Sequence, residues 1–299
     1  MRVEANAKVN LSLEVYGRRA DGYHELRSVV MPIELADIIE IEPSADGSIR
    51  SDTGYGERDL AVRAAHALRV ACADAPGARI GASMRVEKRI PVGGGLGGGS
   101  ADAAAVLRAL NGFWELGLSP DELAAVGAAV GSDVPALVLG QHFGAPVLME
   151  GRGEHVRLLS ADERGALPLP PNKSWIVLAG PGTACSTAEV YARCTPRGGV
   201  PGPFDASASF VNDLQASACE LHPEIADALA ALAEAGADGV AMSGSGSTVF
   251  GFAGERAVAS RIAAVIESTG CQAWVTRPLA RQGIPSHSNR EGTGPRSGL

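Results

Sequence analysis

A chain of 299 residues, 45% of them hydrophobic, holds enough apolar material for one large domain or two ordinary ones with full cores. Its formal net charge of −8 argues against the basic surface that binding to DNA or RNA demands, and no apolar run reaches the length of a membrane span, so neither a nucleic-acid nor a membrane partner is expected. Five scattered cysteines, never in a Cys-x-x-Cys pair, imply neither a disulfide framework nor a zinc site, and an N-terminus without a signal-peptide core makes the cytoplasm the expected compartment.

In chain order, Leu11, Leu13 and Val15 alternate with Ser12 and Glu14, the period of a strand. The turn Arg18-Arg19-Ala20-Asp21-Gly22 leads to two further strands, Leu26 to Ile33 and Ile38 to Glu42. A helix is predicted from about Asp59 to Ala71. Ile80, Ala82, Met84 and Val86 then alternate with Gly81, Ser83, Arg85 and Glu87 as another strand, and Ala103, Val106, Leu107, Leu110 and Trp114 share one face of a second helix. Ser119-Pro120-Asp121-Glu122 is a capping box with proline at the first helical position, opening a helix that should stop near Gly131. Val147 to Met149 and the turn Gly151-Arg152-Gly153 close this half. The polar, proline-rich stretch Ser160 to Lys173 is the expected boundary.

Beyond it, Trp175 to Ala179 reads as a strand, Ser186 to Glu189 as a capping box, and Ile225, Leu229 and Leu232 as a helix stripe. Val249 to Phe252 and Gln272 to Thr276 flank a helix carrying Val258, Ile262 and Val265, with a hairpin around Gly244 to Gly246. This order suggests a ferredoxin-like α+β sandwich. The expected domains are residues 1–160 and 161–280. Residues 281–299, rich in Arg, Gly, Ser and Pro without periodicity, are expected to be disordered.

The segment Pro91-Val92-Gly93-Gly94-Gly95-Leu96-Gly97-Gly98-Gly99-Ser100-Ala101-Asp102 joins a predicted strand to a predicted helix through a loop that is nearly all backbone. Glycines allow close approach of a ligand, and a helix start supplies free N–H groups and partial positive charge, which together suit a polyanion such as a nucleoside triphosphate. Ser100 is placed to cap the first turn. A flexible linker would have polar flanks, whereas Val92 and Leu96 lie within this loop and an amphipathic helix follows it. No acidic strand end follows about twenty residues on, as a dinucleotide fold requires, and no Gly-Lys-Ser/Thr closes the loop, as in the usual P-loop.

Three other segments carry chemistry. Lys8 and Asn10 share one face of a strand opposite Val9 and Leu11; alone, Lys8 reads as a solvated strand end. In Gly131-Ser132-Asp133-Val134-Pro135, Asp133 alone reads as a helix cap with Pro135 in the first turn. Met242-Ser243-Gly244-Ser245-Gly246-Ser247-Thr248 alone reads as a hairpin turn.

Together and in this order, from about Lys8 to Pro278, the four segments resemble the GHMP kinase family. Gly98-Gly99, where mevalonate, homoserine and galactose kinases usually carry Ser-Ser, and Arg19-Ala20-Asp21-Gly22-Tyr23-His24 resemble the branch whose acceptor is a cytidine diphosphate ester of isoprenoid precursor synthesis. The resemblance implies an α+β fold, with a left-handed βαβ crossover in an N-terminal sheet-plus-helices domain and a C-terminal ferredoxin-like α/β sandwich. It implies ATP and Mg²⁺. Lys8 and Asp133 match the catalytic pair, the carboxylate taking or orienting the acceptor hydroxyl and the ammonium holding the carboxylate and the developing alkoxide. Pro91, Val92, Gly93, Gly94, Gly95, Leu96, Gly97, Gly98, Gly99, Ser100 and Ala101 match the phosphate loop, with Ser100 the hydroxyl nearest a metal. His24 would bond the cytosine edge, with Tyr23 and Tyr191 as aromatic neighbours of the base. Asn10 and Thr187 fit polar contacts, and Gly244, Ser245 and Gly246 would close over phosphate and substrate. The alternative for Tyr191 is a helix-core residue, and for His24 a locally bonded turn residue. Two rival readings are another small-molecule kinase of the family and a non-catalytic nucleotide-binding regulator, which should have lost Lys8 or Asp133. Asn212 and Asp213 lie in a family-like segment without an assigned role, and no feature sets an oligomeric state.

Overall fold

The N-terminal apolar runs fold as one long hairpin, β1 (Arg2–Arg18) antiparallel to β2 (His24–Ser44), in a computed structural model that describes residues 1–169, 175–207 and 211–280. The two strands expected at Leu26 to Ile33 and Ile38 to Glu42 are therefore one. Along the edge of β2 away from β1, β5 (Val147–Gly151) pairs with Leu26–Val30 and β4 (Gly81–Glu87) with Ile38–Ser44. The interval between them is filled from the other end of the chain. Glu34 N donates to Arg277 O at 2.8 Å, Leu35 N to Thr276 Oγ1 at 3.0 Å and Leu279 N to Pro32 O at 2.9 Å. Such long-range pairing leaves no local signal, which is why sequence periodicity splits the strand.

β3 (Ile49–Ser51) and β6 (His155–Leu158) complete the six-stranded sheet, and β3 runs parallel to β4 with α1 (Leu60–Ala71) between them, the βαβ unit of this half. Asp59 caps α1 through Ala61 N. α2 (Gly98–Phe113) and α3 (Pro120–Gly127) pack with α1, α4 (Val134–Phe143) packs on α2 and α3, and α2 and α4 also pack on β1 and β2. The predicted stripe of α2 is buried in full, and the capping box at Ser119 and Glu122 forms as expected. Within the expected boundary, Ser160 and Glu163 form a second capping box opening α5 (Ala161–Ala166), so the stretch is partly helical; its residues 170–173 lie outside the described residues, as do 281–299.

The second sheet has the order β10 (Gln272–Thr276), β7 (Trp175–Gly180), β9 (Val249–Ala253), β8 (Asp238–Met242), all antiparallel, which is the ferredoxin-like order. Its helices are α6 (Thr187–Arg193), α7 (Gln215–Leu221), α8 (Pro223–Glu234) and α9 (Arg256–Ser268). Period-two alternation sends Ile176, Leu178, Phe250 and Phe252 into the core shared with the N-terminal half, and Val177, Ala179 and Val249 towards Ile225, Leu232, Ile262 and Ile266. Both faces are thus buried, so these strands read as continuous apolar runs. Leu13 and Val15 of β1 join the second core. Residues of β1 therefore reach both cores, and the seam between the sheets holds the cleft described next.

Candidate active site

β1 is buried on both faces from Ala5 to Val15, so the even-numbered face needs internal partners for its polar side chains. Lys8 is 3% exposed. Its Nζ donates to Asn10 Oδ1 at 2.5 Å and lies 3.4 Å from Asp133 Oδ2. Asn10 Nδ2 donates onward to Ser28 Oγ at 2.7 Å. The solvated-strand-end reading of Lys8 is therefore incorrect; a buried ammonium persists here because a carboxylate and an amide oxygen offset its desolvation. Asp133 is also no helix cap. It stands at the start of α4 with helical φ and ψ of −83° and −13°, and its side chain makes no capping bond, leaving the carboxylate for Lys8 and the cleft.

The glycine loop turns into α2 without a side-chain cap. Gly97 occupies the cap position at φ +70°, so Ser100 lies inside the first turn and does not cap it, contrary to expectation. A Cβ at Gly97 would stand 3.1 Å from Lys8 Cε, which brings the loop against the buried Lys8 side chain. Gly95 serves a different end. Its Cβ would fall 2.1 Å from Ser243 O, because the second small-residue loop packs directly on the first. Ser243 Oγ donates to Gly95 O at 3.0 Å, Thr248 N to Gly94 O at 3.2 Å, and Asn10 N to Ser243 Oγ at 3.2 Å. Part of the glycine content is thus demanded by loop-on-loop contact and not by a ligand.

Asn212 and Asp213 acquire roles. Asn212 Nδ2 donates to Met242 O at 2.9 Å and Gly244 O at 2.8 Å, bracing the second loop. Asp213 Oδ2 accepts from Val15 N at 2.9 Å and pairs with Arg197, fastening this segment to β1.

The two loops, β1 and α6 enclose a cleft of about 1040 Å³ whose wall includes Lys8, Asn10, Asp133, Pro91, Gly93 to Gly95, Gly97 to Ser100, Tyr23, His24, Thr187, Tyr191 and Gly244 to Gly246. Val92 points to solvent at 72% exposure, while Leu96 and Ala101 are buried in the core, so these three do not line it. The His24 and Tyr191 rings lie 4.9 Å apart at 32°. Tyr191 packs on the second core and also faces the cleft, which reconciles its two readings. Burial, helped by the Arg18 cation, holds the His24 imidazole below its ordinary range, so the ring is neutral at pH 7. Burial first, then the Asp133 charge, pushes the Tyr191 phenol up. Thr187 Oγ1 and Ser245 Oγ meet at 3.0 Å across the mouth.

Sequence patterns missed several residues. Arg18 and Arg152 line the cleft, although their local sequence marks them only as turn residues. Beneath the glycine loop, Lys88 bonds both Asp37 and Asp102, the latter at 2.8 Å, and Asp37 Oδ1 accepts from Arg89 N at 2.5 Å and Ile90 N at 2.8 Å, fixing the chain just before Pro91. Burial pushes the Asp102 carboxyl up to about 7 against the pull of Lys88, with Asp37 adding to the rise. Among the described residues, no group of three or more His, Cys, Asp or Glu is placed to hold a metal, and no helix is long and apolar enough to cross a membrane.

A wall of backbone amides facing an ammonium–carboxylate pair suits transfer of a phosphoryl group to an alcohol. Comparison with known proteins gives the same class: the family model described as "GHMP kinases N terminal domain" matches residues 59–141 and "GHMP kinases C terminal" matches 204–270, and the chain belongs to the GHMP kinase family. Within it the chain groups with the 4-diphosphocytidyl-2-C-methyl-D-erythritol kinases. It is 41% identical over 293 residues to the protein of that name from Pelotomaculum thermopropionicum, covering 91% of this chain and 96% of that one. The Symbiobacterium thermophilum protein of the same name is 39% identical over 299 residues, covering 93% and 100%. A crystal structure of 4-(cytidine 5'-diphospho)-2C-methyl-D-erythritol kinase superposes with a TM-score of 0.75 at 35% identity, over 92% of this chain and 98% of that one. A mevalonate kinase shares the fold at a TM-score of 0.66 with 14% identity.

Proposed function

We propose that the chain transfers the γ-phosphoryl group of ATP to the 2-hydroxyl of 4-diphosphocytidyl-2-C-methyl-D-erythritol, yielding ADP and the 2-phosphate, in the non-mevalonate route to isoprenoid precursors. The observation that carries this reading is the Lys8–Asp133 pair at 3.4 Å, in one cleft with the glycine loop and the His24–Tyr191 ring pair. Relatives named for this activity are 39–41% identical over nearly the whole chain, whereas the mevalonate and homoserine kinase structures stand at 14–16%. Both catalytic residues are present, which disfavours a non-catalytic regulator.

In this reading the γ-phosphoryl group is presented between the glycine loop and the acceptor hydroxyl. Asp133 accepts the hydroxyl's hydrogen bond, which aims the oxygen in line and gives its proton a destination. Lys8 holds that carboxylate in place and offsets the charge that develops on the acceptor oxygen. Gly93 to Ser100 surround the phosphates with main-chain N–H groups and the positive end of α2, which no side chain caps. The donor set fits a magnesium ion carried in with the nucleotide: Ser100 would be its protein ligand, phosphate and water supplying the rest, and the ion would neutralise charge on the phosphates. His24, with a neutral ring, can donate and accept at the cytosine edge, and Tyr191 offers its face to the base. A cytoplasmic location follows from the need for ATP.

The test is a phosphorus NMR assay of purified protein with ATP, Mg²⁺ and the cytidyl substrate. Appearance of ADP together with a new monophosphate ester resonance on the cytidyl compound is expected. ATP consumption supported by mevalonate or homoserine instead, or by no alcohol at all, would overturn the assignment.

A further inference from the structure

Two cationic side chains at the His24 end of the cleft have no role in the reading above. Arg18 ends β1 directly opposite His24 in the strand register. Arg152 sits in the turn between β5 and β6, its guanidinium 5.1 Å over the Tyr23 ring. Both line the cleft. Their neighbours are internally matched: Arg19 pairs with Glu25 at 2.8 Å and with Asp21 and Glu154 at longer range, and Arg27 pairs with Glu150 at 2.8 Å. Among the described residues, neither Arg18 nor Arg152 has a carboxylate within ion-pair range. In a chain of net charge −8, two guanidinium groups thus stand on the wall of one cleft without a counter-ion among the described residues.

Resting on the proposed function, the geometry points to Arg18 and Arg152 as a clamp for the diphosphate of the acceptor, and so as determinants that separate a nucleotide-linked alcohol from a neutral one. With the base by His24 and Tyr191 and the reacting hydroxyl by Asp133, the diphosphate leaves the base at the His24 end, along the part of the cleft that Arg18 and Arg152 line. The only charge that the catalytic pair adds there besides Lys8 is the Asp133 carboxylate, which repels it. A planar guanidinium bonds phosphate oxygens in pairs and keeps its charge at any working pH. Arg152, held by the Tyr23 ring face, is pre-positioned by a cation–π contact, which links diphosphate capture to the ordering of a half-exposed aromatic at the mouth.

The experiment measures the affinity of cytidine and of cytidine diphosphate by calorimetry, for the wild-type chain, Arg18→Gln, Arg152→Gln, the double Gln variant and the double Lys variant. In wild type the diphosphate should bind at least about tenfold more tightly than cytidine, the range for charge-assisted bonds. The double Gln variant should bring the two to within about threefold, with cytidine itself and the KM for ATP unmoved, and the double Lys variant should restore part of the gap. A gap that survives in the double Gln variant, or loss of cytidine binding in both double variants, would overturn the clamp. Failure of wild type to bind cytidine at all would instead sink the proposed acceptor.

Discussion

The Lys8 ammonium lies 3.4 Å from the Asp133 carboxylate, the first side chain 3% exposed and the second 30%, so one partner is fixed in the sheet and the other reaches the cleft. In the proposed mechanism that asymmetry divides the work: Lys8 would hold and Asp133 would touch substrate. Asp133→Asn keeps the shape, removes the charge and the proton acceptor, and is expected to lower kcat by at least about a hundredfold while nucleotide affinity changes little. Steady-state kinetics alongside nucleotide titration read the two separately. Turnover within about threefold of wild type would take Asp133 out of the mechanism.

Tyr191 both packs on the second core and faces His24 across 4.9 Å. If its cleft face serves the base, Tyr191→Ala should raise the KM for the cytidyl substrate by roughly tenfold or more, the scale of one aromatic–base stack, and spare the KM for ATP. Tyr191→Phe should behave as wild type. A lowered melting temperature with both constants unchanged would make Tyr191 a core residue only.

Much of this site is written locally. The glycine loop, the helix stripe behind it, the Ser119 capping box and the apolar strand from Val249 each depend on neighbours a few positions away, and each appears where the pattern puts it. What escaped was long-range. β2 runs unbroken because residues 276–279 fill the interval between β4 and β5. Asp133 reads as a cap until Lys8 arrives from β1, and Lys8 reads as solvated until its burial is known. Asn212 looks like any loop asparagine because the carbonyls it braces, at Met242 and Gly244, belong to a distant hairpin. Asp37, Lys88 and Asp102 come from three separate elements and carry no common spacing.

Burial and the Arg18 charge keep His24 below the ordinary histidine range of about 6.5. The folded chain therefore resists protonating this ring, which stays neutral until the pH falls below that range. A ring titration by NMR, assigned by difference from His24→Asn, should give a midpoint under about 6.5. Arg18→Gln, which removes the neighbouring cation, should move that midpoint upward. A midpoint at or above the ordinary value in wild type would contradict the burial that the cleft geometry assigns to His24.

Gly95 adopts φ +74°, and a Cβ there would fall 2.1 Å from the Ser243 carbonyl oxygen. Both the backbone and the opposing loop forbid a side chain. Gly95→Ala is expected to separate the two loops, at a cost of about 1 kcal/mol or more for the backbone conformation before any clash is counted. The reading is a lowered melting temperature together with a raised KM for ATP, because the loop that leads into α2 loses its support. Gly93 is a contrast: its φ is +74° too, but its Cβ would meet only Ala184 Cβ at 4.0 Å, so Gly93→Ala carries the backbone strain without the loop clash and should be the milder change. Equal effects from the two substitutions would deny the loop-on-loop contact its role.

Asp102 is buried with one carboxylate oxygen on Lys88 and the other, Oδ1, without a hydrogen-bond partner. Burial raises its folded-state pKa to about 7, above the value of about 3.9 for an unfolded carboxyl. The folded chain consequently binds this proton more tightly than the unfolded chain does. Stability from that difference is complete below about pH 3.9 and is lost progressively as the pH climbs to about 7, the opposite of a carboxylate held ionised by its partners. Asp102→Asn, a neutral isostere, should therefore change least near pH 4 and stabilise the chain increasingly towards pH 8.5, raising the melting temperature there by a few degrees, the shift expected of about 1 kcal/mol in a chain of this size. Melting curves of both proteins between those limits test it. A variant less stable than wild type at pH 8.5 would mean that the ionised Asp102–Lys88 pair, and not the protonated acid, is the form the fold prefers.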